Sequence, residues 1–135
     1  MTGRFFSALA CASLAMSADA ALASIDPPRL AAGTYEGSYV CAQGVTRLRL
    51  VAARAVGSRQ TARFEFGGND GLPSGVYTVR VRTERDGTIV LTPLSWLSRP
   101  ADYLMVGARL SQQGDTLTGT ISNPDCGEVS LTRAN

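Results

Sequence analysis

The 135-residue chain contains no lysine and no histidine, so all thirteen of its basic residues are arginine. This removes most of the usual acid–base and nucleophilic devices. Without imidazole there is no Ser-His-Asp or Cys-His arrangement and no histidine-ligated metal site, and without an amine there is no Schiff base. No cofactor motif is present, and no catalytic or metal-binding residue is assigned. The formal net charge of +2 is small, and the arginines alternate with apolar residues instead of forming a run. Nucleic acid is therefore not an expected partner. Long apolar runs are missing too: residues 5–16 form one, but it is shorter than the roughly 20 residues of a membrane-spanning helix.

That short run is placed for export. Met1 and Arg4 give a positive start, and Ala18-Asp19-Ala20 and Ala21-Leu22-Ala23 both have the small-x-small form of a signal-peptidase site. Residues 1–23 thus read as a signal peptide cleaved after Ala20 or Ala23. Residues 24–33, with Pro27-Pro28, read as an extended lead-in, and residues 34–135 as one domain. The expected location is periplasmic or secreted. Cys11 falls inside the leader, with Leu9 one position too close for lipid attachment.

Of the three cysteines, Cys41 and Cys126 remain after cleavage. In an oxidising compartment two cysteines make one disulfide.

From Thr34 onward the pattern has period two, the mark of strands with one buried face. Eight are predicted: 34–41, 46–53, 60–66, a fourth carrying Tyr77, Val79 and Val81, then 88–94, 103–110, 116–122 and 128–132. Arg85-Asp86-Gly87 and Gln112 to Asp115 read as hairpin turns. The fold class is all-β, an eight-stranded antiparallel up-and-down barrel or a closely related sandwich, closed by the disulfide. Parity supports closure: with eight alternating strands, Cys41 ends the first on the same rim where Cys126 precedes the last. An odd count would leave them too far apart to join.

The same parity gathers the long connections, 67–75, 95–102 and 123–127, on the disulfide rim. Binding residues concentrate on loops carried by a rigid scaffold. The candidate binding residues are accordingly Asn69, Asp70, Ser74, Tyr77, Trp96, Arg99, Asp102 and Asp125. Trp96, the single tryptophan, suits either a rim anchor or a plug at the barrel end. Asp70, Asp102 and Asp125 form the one carboxylate set this composition permits for acid–base work, and also fit ordinary turns. Arg47, Arg49, Arg63, Arg80 and Arg82 fall on outward faces, as a basic patch or as a solvated face paired with Glu65 and Glu84. Inward residues such as Leu48, Leu50, Phe64, Phe66, Tyr77, Val79 and Leu117 nearly fill an eight-stranded barrel.

The string Gly33-x-Tyr35, Tyr39-x-Cys41-x-Gln43-Gly44, Pro73-Ser74-Gly75-x-Tyr77, Leu91-x-Pro93, Trp96, Pro100, Tyr103 and Cys126-Gly127 resembles a family of small secreted bacterial β-barrel domains. That resemblance implies a fold and no activity. Tyr39, Cys41 and Gly44 also resemble the Y-x-C-x-x-G start of the membrane-bound lysozyme inhibitors of the c-type class. Ser74-Gly75-Val76-Tyr77 is one residue shorter than their inhibitory S-G-x-x-Y loop, and their lysine-bearing segment has no counterpart. Carried over, the likeness makes Ser74 and Tyr77 contact residues for a cell-wall hydrolase. The primary expectation is a non-enzymatic extracytoplasmic binding module whose loop rim takes an unidentified protein, small-molecule or glycan ligand.

Overall fold

The computed structural model describes Gly3 and residues 29–134. The expected signal peptide apart from Gly3, both expected cleavage sites and residues 24–28 of the lead-in lie outside the described residues. Eight strands follow one another: β1 (Gly33–Cys41), β2 (Gly44–Ala52), β3 (Thr61–Phe66), β4 (Gly75–Thr83), β5 (Ile89–Ser98), β6 (Gly107–Gln113), β7 (Thr116–Ser122) and β8 (Glu128–Arg133). Each pairs antiparallel with its neighbours, and β8 returns to β1 to close the barrel. Among the described residues there is no helix. Full closure leaves few unpaired edges for a chain this small.

The alternation read from the sequence is what fills the interior. Tyr35, Leu50, Phe64, Tyr77 and Trp96 are successive register partners and form one inward band across β1 to β5. Leu48, Val79, Val81, Leu91, Leu117 and Leu131 are also almost wholly buried. Burying such side chains contributes on the order of 1.5–3 kcal/mol each. Two glycines let the barrel curve this tightly. A Cβ on Gly37 or Gly119 would collide with the carbonyl oxygen of Ser130 or Arg109 in the neighbouring strand.

Outward, Arg49 faces Glu36 at 3.8 Å, Arg63 bonds Glu65 at 2.8 Å, and Glu84 lies 3.7 Å from Arg82 and 3.0 Å from Arg109. Much of the expected basic face is thus a set of exposed ion pairs, each worth little in water.

Two predicted boundaries are corrected. The connection expected from Ser95 to Asp102 is shorter, because β5 continues through Trp96 to Ser98. Two register shifts against β4 allow this: Tyr77 faces Trp96 and Val76 faces Ser98, leaving Leu97 as an extra residue, and Leu94 is skipped in the same way between Ser95 and Pro93. Leu94 and Leu97 are consequently exposed. The sixth strand begins at Gly107, not at Tyr103. The β5–β6 ladder stops at Leu91 and Ala108, because Pro93, the next inward residue of β5, has no N–H to donate. Residues 99–106 therefore leave the sheet and fold over the mouth.

Cys41 and Cys126 are bonded, with their Cα atoms 3.9 Å apart at a sequence separation of 85. At the opposite pole Gln60, only 3% exposed, donates its amide to the carbonyls of Leu30 at 2.7 Å and Ala53 at 2.9 Å. There the tail Arg133 donates to the carbonyl of Ala32 at 3.0 Å, and the amide of Ala134 donates to that of Thr34 at 2.7 Å.

Candidate functional site

The disulfide rim holds a cleft of about 400 Å³. Its walls are Tyr39 from β1, Phe66 from β3 and Tyr77 from β4, with Tyr103, Leu104 and Val106 from the segment that leaves the sheet. The disulfide and the turn residues Ala42 and Gln43 close one side, and Asp102, Asn123 and Asp125 stand at the mouth.

The aromatic walls form one connected cluster. Phe64 stacks on Tyr77 with centroids 4.6 Å apart, and Tyr103 stacks on Phe66 at 5.5 Å. Tyr39 tilts against Phe64 at 5.7 Å, and Trp96 sets its edge to Tyr77 at 5.2 Å and to Phe66 at 6.1 Å. Each such pair adds about 0.5–1.5 kcal/mol beyond burial, which favours this packing. Gly75 makes the arrangement possible, since a Cβ there would meet the Phe66 ring at 2.6 Å and Pro100 at 2.7 Å.

Hydrogen bonds hold the wall that lies outside the sheet. The Tyr77 hydroxyl donates to the Val106 carbonyl at 2.7 Å and accepts the Val106 amide at 3.0 Å. Burial pushes the Tyr77 phenol well above its ordinary range; the nearby Tyr39 adds to this, and the bond to Val106 partly offsets it. Burial likewise raises Tyr39, Tyr103 adds to the effect, and a bond with Thr46 opposes it. Both phenols stay neutral over the physiological range. On the other side, Gln43 donates to Thr46 Oγ1 at 3.0 Å. Asn123 caps its own loop by accepting the Asp125 amide at 2.8 Å.

Of the residues singled out from the sequence, Cys41, Cys126, Tyr77, Asp102 and Asp125 converge on this cleft. Trp96 stands behind its wall, half-buried, with the Arg99 guanidinium 5.6 Å above its ring. Asn69, Asp70 and Ser74 do not line the cleft. Asn69 instead pins its loop to β2, accepting the Arg47 amide at 2.9 Å and donating to the Val45 carbonyl at 3.1 Å. Asp70 takes the turn position that follows, with φ 49°, and both it and Ser74 are exposed.

Sequence reasoning did not single out Tyr39, Gln43, Tyr103 and Leu104 as site residues. Tyr39 had a usable mark, since it alternates in phase with Tyr35 and sits two residues before the rim cysteine. Tyr103 and Leu104 had none, because their place depends on β6 starting late.

Among the described residues no three His, Cys, Asp or Glu side chains gather as a metal set, and none forms a helix able to cross a membrane. No family model, no curated protein and no solved structure matches the chain.

Proposed function

We propose that this protein is a non-enzymatic binding module of an extracytoplasmic compartment, and that the cleft on the disulfide rim receives a small ligand. The observation that carries this reading is the cleft itself: aromatic walls between a disulfide and a mouth of polar side chains. Small-molecule sites have this composition, mostly apolar walls with a few polar groups to orient the ligand, and volumes of about 300–1,000 Å³. The chain has no histidine or lysine to supply a base or an amine nucleophile, which favours binding over turnover. The disulfide favours an oxidising compartment, periplasmic or extracellular.

The hydrolase-inhibitor reading is less well supported. It would use Tyr77 as a surface contact, yet that side chain is 1% exposed and its hydroxyl is held by Val106.

The test is a nitrogen-15 NMR titration of the domain against a panel of small sugars, amines and carboxylic acids. A ligand of the cleft shifts amides in 102–106 and 123–127 and leaves the Asp86–Gly87 turn at the far pole unmoved. Shifts confined to the far pole or to the outer strand faces would overturn the reading.

A further inference from the structure

We infer that the cleft is built for an organic cation, a small ammonium ion whose charge sits at the mouth while its carbon substituents enter the aromatic floor. This rests on the cleft being the binding site, and it adds the class of ligand.

Three observations meet there. Asp102 and Asp125 both stand at the mouth, exposed. Neither takes part in an ion pair among the described residues, a state they share with Asp70, Asp86, Asp115 and Glu128, none of which lines the cleft. Among the described residues no arginine lines the cleft, although all thirteen basic residues of the chain are arginine. Arg99, the arginine closest to Asp102 in sequence, is drawn over the Trp96 ring.

The walls have matching chemistry. Tyr103, half-buried, presents a ring that attracts cations through its quadrupole, backed by the nearly buried rings of Tyr39, Phe66 and Tyr77. The apolar part of such a ligand, its methyl or methylene groups, finds Phe66, Leu104 and the disulfide. A carboxylate or phosphate would meet two aspartates with no compensating guanidinium. A neutral sugar would find the rings, but would leave both carboxylate charges unanswered.

The test uses choline and n-butylamine as cations, with 3,3-dimethylbutan-1-ol as the uncharged isostere of choline, each titrated into the labelled domain. At least one cation is expected to shift amides in 102–106 and 123–127, with affinity at least about tenfold above that of the alcohol. The double variant Asp102→Asn, Asp125→Asn is expected to keep the parent spectrum elsewhere and to lose about tenfold or more in cation affinity. The parent should lose affinity as salt is raised.

Equal binding of the alcohol, unchanged cation affinity in the double variant, or failure of both cations while a neutral or acidic compound fills the cleft would overturn the inference. Any of these leaves the cleft as the site. Silence of the cleft amides toward the cations, the alcohol and the whole panel would overturn the inference and the binding-site reading together.

Discussion

The hydroxyl of Tyr77 is bonded to both main-chain groups of Val106, donating at 2.7 Å and accepting at 3.0 Å. A side chain rooted in β4 thus does what a neighbouring strand would have done where the β5–β6 ladder ends. That phenol supplies hydrogen bonds that tie this wall of the cleft to the barrel, beside the stacking of Tyr103 on Phe66.

Tyr77→Phe keeps the ring and removes this attachment. Leaving the half-buried Val106 amide and carbonyl without their partner costs about 1–3 kcal/mol. Urea unfolding should show that loss, and hydrogen exchange at Val106 should quicken more than exchange in β7. An unchanged Val106 exchange rate would show that the wall stands without the phenol.

Alkali should destabilise the fold through the same ring and its neighbour. The Tyr39 and Tyr77 phenols are raised above their ordinary 10.0, mainly by burial. Above about pH 10 the unfolded chain loses these protons while the folded chain keeps them, so stability is full below that pH and falls as pH rises. The slope reaches at most about 1.4 kcal/mol per pH unit for each tyrosine. Unfolding midpoints between pH 8 and pH 11.5, values set by the ordinary tyrosine range, should bend downward in the parent and bend less in Tyr39→Phe.

Reduction of the disulfide tests closure. Cross-linking residues 85 apart stabilises by about 4–5 kcal/mol in the chain-entropy picture. The Cys41→Ser, Cys126→Ser variant should therefore unfold at much lower urea than the oxidised parent. It should also show broadened signals for 123–127, the loop that the bond fixes beside the cleft.

Gly37→Ala and Gly127→Ala separate two uses of glycine. At Gly37 the new methyl would strike the Ser130 carbonyl of the adjacent strand, whereas at Gly127 no described residue beyond its chain neighbours lies within 4 Å. The first should cost about 3 kcal/mol or more, since rigid backbone must move. The second should stay within about 1 kcal/mol of the parent, on either side. Thermal unfolding of both variants decides it.

Most of the barrel was legible because alternation and parity are local properties. The phase of Leu48, Leu50, Phe64 and Phe66 fixes which face is inward, and an even strand count brings Cys41 and Cys126 to one rim. What escaped was set by tertiary events that periodicity does not record. Ser95 and Trp96 read as loop because the two extra residues, Leu94 and Leu97, break the alternation of β5. Tyr103 read as strand because its neighbours are apolar, and the missing donor of Pro93 acts from another segment. Asp102 and Asp125 were found by parity alone, while Asn69, chosen by the same reasoning, proved to be a clasp on β2. Rim position is written in the sequence; whether a rim residue faces the cleft or its own loop is not.

The bonds that gather Leu30, Ala32 and Thr34 to Gln60, Arg133 and Ala134 bring both ends of the described chain out at the pole opposite the cleft. The barrel has in effect a handle and a face. A tether joined at Leu30 or at Ala134 therefore meets the barrel at the pole away from the cleft and its polar mouth.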